Sequence, residues 1–157
     1  MSALVVAVDP GLSGAVAVLS ADGALVHLAD LPIARDHSLA WIDGGRLQSE
    51  LLEAIAGRPC RAYVERVGAM PGQGVSSCFT FGAGLGSILA VLQTLRLPLE
   101  LISPATWKRA LGLPRDKGAA LDRARLLFPS AELHLKRHDG RAEALLLAYH
   151  ALTRRPA

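Results

Sequence analysis

LVVAVDPGLSGAVAVLSADGALVHLADL, residues 4–31, reads as three short strands joined by tight turns. Leu4–Val8 is an apolar run broken by Asp9-Pro10-Gly11, and Ala15–Leu19 resumes after Ser13-Gly14. Ala21-Asp22-Gly23 is a hairpin signal ahead of Leu25–Leu31, and Pro32 stops the third strand. Strands connected this closely make an antiparallel meander. Further along, Asp43 caps a helix whose apolar positions Leu47, Leu51, Leu52 and Ile55 recur at helical spacing, with Gly57 as its stop. Arg61–Glu65 reads as a buried strand, followed by a loop rich in Gly and Pro and a long helix from Ser77 through Leu95. Leu99–Ile102 is a fifth strand. Pro104–Leu111, Gly118–Phe128 and a last helix from Asp139 to Leu152 follow it. The order predicts an α/β fold: a five-stranded mixed sheet, three antiparallel strands then two parallel crossovers, flanked by helices.

The 157 residues suit one domain, 1–157, with a real core, and are too few for a two-domain phosphotransferase. Half the residues are apolar, which excludes a disordered tail or a disulfide-stapled mini-protein. No stretch offers the ~18 uninterrupted apolar residues of a membrane span, so a cytoplasmic protein without membrane contact is expected. Cys60 and Cys78 lack any metal-ligand spacing and read as reduced thiols. The net charge of +3 is unevenly distributed. Residues 1–95 carry five basic groups against eight acids, and residues 96–157 twelve against six. Such a division fits a polyanion surface beside a metal site, and equally an uneven solvated surface.

Asp9 ends the first strand and Glu65 the fourth. Alone, Asp9 is a turn aspartate; paired with a second carboxylate on the same sheet it suggests a rigidly held site. The last helix is apolar nearly all round, yet Asp139 and Glu143, four apart, share one face, with His150 further along. Like charges at that spacing destabilise a helix unless neutralised, and a divalent cation would do so. The lesser alternative makes Asp139 an N-cap, with Glu143 pairing in solvent with Arg141 or Arg137. Four carboxylates suit Mg²⁺ or Mn²⁺, two of which can activate water and stabilise a leaving oxygen in phosphoryl displacement. There is no GxSxG elbow and no Walker A sequence; Gly82, Gly84 and Gly86 read as residues that let a helix approach its neighbour closely. Lys108, Arg109, Arg115, Lys117, Arg123 and Arg125 form a basic segment suited to phosphate contacts or to solvent.

Val8-Asp9-Pro10-Gly11, Val64-Glu65 and His138-Asp139-Gly140-Arg141-Ala142-Glu143 resemble the three acidic motifs of RuvC-type Holliday junction resolvases. Ser103-Pro104-Ala105-Thr106-Trp107-Lys108 and Asp116-Lys117 resemble the basic segment of that family, and the likeness leans toward its phage and prophage members. The resemblance implies an RNase H-like nuclease domain and a homodimer that resolves branched, four-way DNA by paired nicks. Asp9, Glu65, Asp139 and Glu143 would be catalytic ligands of two Mg²⁺ ions, with Mn²⁺ able to substitute and no small-molecule cofactor. Lys108, Arg109, Arg115 and Lys117 would contact DNA, Lys117 also steadying transition-state charge. Two departures stand out: the closing acids are spaced four apart rather than three, which brings in His138 as an alternative ligand. The aromatic wedge after the strand-four Glu is also missing, leaving Met70 as the apolar candidate. A related nuclease of structured RNA, or a DNA-binding scaffold without catalysis, are the alternative functions.

Overall fold

In the computed structural model, residues 3–114, 116 and 118–154 are described. Five strands, β1 (Leu4–Asp9), β2 (Ala15–Leu19), β3 (Leu25–Asp30), β6 (Cys60–Glu65) and β7 (Leu99–Ile102), form one sheet in the order β3-β2-β1-β6-β7. β1 runs antiparallel to β2 and β2 to β3, whereas β6 lies parallel to β1 and β7 to β6. The five-stranded mixed sheet expected from the sequence is therefore present. A register shift at Val18/Leu19 accommodates the irregular β2–β3 pairing.

Between β3 and the first helix lies a hairpin that the sequence did not announce, β4 (Ile33–Asp36) and β5 (Leu39–Ile42). Its turn has no Asn-Gly or Asp-Gly; His37 takes the left-handed conformation instead, at φ 44°. Helix α1 (Gly44–Ile55) starts as predicted, the Asp43 side chain accepting a bond from the Arg46 amide at 3.0 Å. Leu52, counted above among its core positions, faces solvent and is 55 % exposed. Helix α2 (Val75–Thr94) begins two residues earlier than expected.

Strict alternation divides the interior into two layers. Leu4, Val6, Val8, Val16, Val18, Ala62 and Val64 point toward α1 and α2. Val5, Ala7, Ala15, Ala17, Leu19 and Tyr63 point to the other face. That second face is covered by α3 (Pro104–Ala110), α4 (Ala119–Leu127) and α5 (Asp139–Thr153). Helix α5 buries nine residues, as its all-round apolar pattern requires. Among the described residues α2 is the one helix long and apolar enough, by length and composition alone, to cross a membrane, although Ser, Thr and Gln interrupt its apolar run. Here Ile88, Val91 and Leu92 dock it on the core. Of its glycines, only Gly84 meets a neighbour, Ile42, at ordinary contact distance; Gly82 and Gly86 face open space and serve no close approach.

Candidate active site

Alternation decides where two of the acids go. Asp9 follows Val8 and Glu65 follows Val64, and those valines are register partners turned toward α1 and α2. Their successors therefore turn to the α5 face, side by side at the C-terminal ends of two parallel strands. Glu65 is 7 % exposed, and Asp9 is partly buried.

The third acid arrives on α5, through a close backbone approach. A Cβ on Gly140 would lie 2.4 Å from the Ser13 carbonyl oxygen, and one on Gly14 would lie 2.0 Å from the Asp9 carbonyl oxygen. Gly140 thus lets the first turn of α5 rest on the β1–β2 turn, and Gly14 lets that turn fold back tightly on Asp9. Arg141 adds a bidentate pair with Asp30 at the end of β3, at 2.6 and 3.0 Å. One oxygen each of Asp9, Glu65 and Glu143 then lie within 4.8 Å of one another.

Helix α3 completes the group. Ser103 caps it, accepting from the Thr106 amide, and Pro104 occupies its first turn. Trp107 is fully buried and its indole Nε1–H donates to Glu65 Oε1 at 2.9 Å. The next residue, Lys108, donates from Nζ to Glu143 Oε1 at 2.6 Å, with the ammonium 5.0 Å from the Trp107 ring centre. One dipeptide thus holds two of the three carboxylates. Removing the indole donor by Trp107→Phe should destabilise the protein by about 1–3 kcal/mol. Urea denaturation measures the effect.

The electrostatics are those of three clustered acids that share one ammonium, that of Lys108. Burial first, then the charges of Glu143 and Glu65, push Asp9 up to about 8. Burial also raises Glu65, partly offset by the Trp107 bond. Burial opposes the charge of Lys108, yet its bond to Glu143 and the charges of the three acids together hold it above the ordinary lysine range. A cleft of about 390 Å³ opens above, lined by Asp9, Ser13, Lys108, Asp116, Asp139 and Glu143 among others.

Asp139 lines this cleft, but it lies outside the tight trio and bonds to the Gly140 amide. It is the first residue of α5 rather than its cap, and Glu143 pairs with Lys108 rather than with Arg141 or Arg137. His138 does not reach the site: it is buried, its Nδ1 faces the Leu135 amide and its ring stacks edge-on with His134. His150 is buried far along α5 beside Glu100 and Arg154. Arg109 and Met70 are exposed and outside the cleft lining, and Arg125 is bonded to the Leu133 carbonyl and Asp122. Arg115 and Lys117 lie outside the described residues. The sequence missed the bonds of Trp107 and Lys108, although both residues stand in a motif quoted above. It also missed the need for Gly at 14 and 140.

The chain superposes on RuvC of Thermus thermophilus in complex with a Holliday junction substrate with a TM-score of 0.66, covering 96 % of this chain and 93 % of that one. The fold is that of RuvC. A second RuvC structure from T. thermophilus gives a TM-score of 0.57 over 95 % of this chain and 93 % of the other. Sequence identities are 18 % and 19 %, so the RuvC likeness is one of architecture. In sequence, the chain is 38 % identical over 94 residues to the chloroplastic Holliday junction resolvase MOC1 of Chlamydomonas reinhardtii, a match covering 57 % of this chain. It spans 11 % of that relative's length. No family model matches the chain.

Proposed function

We propose that this chain, a single RuvC-like nuclease domain over residues 1–157, is a metal-dependent endonuclease that resolves four-way DNA junctions by paired nicks. The observation that carries it is the trio Asp9, Glu65 and Glu143 within 4.8 Å, set beneath an open cleft beside Lys108. The donors are all hard oxygens, without Cys or His, which fits Mg²⁺, with Mn²⁺ able to replace it. Asp9, held up to about 8 where its charge is poorly tolerated, fits the same conclusion: a cation would offset the burial and the neighbouring acids. Asp9, Glu65 and Glu143 would hold the ions, with Asp139 at the cleft mouth as a fourth ligand. When bound, such ions supply Lewis acidity and lower the pKa of water.

The chain's own groups do the remaining work. Trp107 keeps one oxygen of Glu65 in place and leaves the other free. A cation held there would favour the ionised form of Asp9. Lys108, with Arg109, Arg115 and Lys117, meets the phosphates, and Met70 lies exposed on the loop before α2, where it could contact bases. The basic excess of residues 96–157 supports the polyanion assignment. The working compartment would be the cytoplasm of a bacterial or phage-infected cell. Cleavage of fixed and mobile four-way junctions with Mg²⁺, mapped to the nucleotide, is the test. Paired nicks leaving 5′-phosphate and 3′-hydroxyl ends are expected; preferential cutting of structured RNA would overturn the assignment.

Paired nicks need two sites, and α2 suggests how two copies meet. It carries no charged residue in twenty, while Val75 and Phe79 at its start are 87 % and 71 % exposed. A second copy of this chain is the proposed cover. Phe79→Asp should convert a dimer into a monomer in analytical ultracentrifugation and leave junctions nicked on one strand only. A variant still dimeric would exclude this face.

A further inference from the structure

We infer that Lys108 is an internal counter-ion that a divalent cation must displace, so that loading the site releases its ammonium toward the substrate phosphate. The inference rests on the assignment of a divalent-cation site made above. Among the described residues, Lys108 is the one cationic side chain lining the cleft. Its Nζ lies 2.6 Å from Glu143 Oε1, an oxygen of a carboxylate belonging to the trio. An ion held by that trio would sit beside the ammonium, and two positive charges at such separation repel strongly in a partly dry site. Glu143 therefore serves one cation or the other.

The surroundings let the exchange happen without refolding. Trp107, buried and bonded to Glu65, fixes α3, so the backbone of Lys108 stays in place. Only the four-carbon stem has to swing. Its side chain lines the cleft and is 36 % exposed. The Trp107 ring, 5.0 Å from Nζ, offers a face over which the ammonium can pivot. Displaced from Glu143, the charge stays within the cleft, where a phosphodiester would lie. Metal and DNA then favour each other's binding, because the ion drives Lys108 off Glu143 to the side where a phosphate would hold it. Lys108 is in this sense a positioning residue as well as a phosphate contact.

The test measures Mn²⁺ binding by electron paramagnetic resonance of the free ion, without DNA and without turnover. Lys108→Met keeps the bulk of the stem and removes the charge, and Lys108→Arg keeps the charge. The Met variant should bind Mn²⁺ about tenfold more tightly than wild type, within the range typical of such coupling. The Arg variant should stay close to wild type. Equal or weaker binding by a Met variant with wild-type circular dichroism would overturn the inference while leaving the cation site standing. No Mn²⁺ uptake by any of the three proteins would overturn both. Should the Met variant not fold, reductive methylation of the wild-type protein decides. Labelling of Lys108 should rise several-fold when Ca²⁺ saturates the site, and unchanged labelling would count against displacement.

Discussion

Asp9→Asn is expected to lower junction cleavage at least a thousandfold and, in the same protein, to raise the melting temperature of the metal-free form. The loss follows from removing the carboxylate on which the proposed metal centre depends. The gain follows from linkage. Asp9 is held up to about 8 against an ordinary 3.8, chiefly by burial. Between those values the folded state keeps a proton that the unfolded chain has released, so wild-type stability falls as pH rises from about 4 to about 8. Above that range the penalty is constant, and below it the penalty is absent. At neutral pH it amounts to roughly 4 kcal/mol. Asn carries no such penalty, so its melting temperature should exceed wild type by about 8–16 °C at pH 7.5 in EDTA. The difference should vanish near pH 4. Scanning calorimetry at both pH values checks it, and a variant less stable than wild type at pH 7.5 would contradict this account of Asp9. Binding of the uncleaved junction should survive the substitution.

The second large effect is on folding. Gly14→Ala would put a methyl group 2.0 Å from the Asp9 carbonyl oxygen, and Gly140→Ala one 2.4 Å from the Ser13 carbonyl oxygen. Both obstacles are backbone, which cannot rotate away as a side chain could. Each variant should lose about 3 kcal/mol or more, at or beyond the upper end of ordinary overpacking. Gly140→Ala has a further consequence, since the first turn of α5 would have to lift, carrying Glu143 from Asp9. A displacement near 1 Å is enough to cost roughly a hundredfold in rate. Gly45→Ala is the control: its nearest neighbour is 3.5 Å away, and an alanine in the first turn of α1 should stabilise by about 0.5–1 kcal/mol. Urea midpoints for the three variants would show the contrast.

How much of this was visible in the sequence depended on whether the signal was local. Leu4–Val8 and Ala15–Leu19 are short apolar runs bounded by turn residues, so their strands and the five-stranded sheet could be read directly. The β4–β5 hairpin could not, because Ile33-Ala34-Arg35-Asp36 does not alternate and its turn uses His37 in a conformation more typical of glycine. Leu52 fits the helical period of α1, but the neighbouring layer is narrower than the apolar stripe, leaving it in solvent. In the site, Asp9 and Glu65 were legible as strand-end carboxylates. The bonds from Trp107 to Glu65 and from Lys108 to Glu143 join residues 42 and 35 apart, and no periodicity encodes such partners. The isolation of Asp139 from the trio was equally hidden, because one helical face can still hold two groups at different depths.

The docking of α5 also bears on when the acidic trio is assembled. Asp9 and Glu65 belong to strands that pair early in the chain, whereas Glu143 is supplied by the last helix described, residues 139–153. During synthesis, the emerging polypeptide carries only two of the three clustered acids until that helix leaves the ribosome and slides beneath the sheet. An unfinished or C-terminally clipped chain would then be a sheet with an exposed apolar face and no complete catalytic centre. Order of synthesis thus acts as a safety catch, arming the proposed nuclease only after its fold is closed.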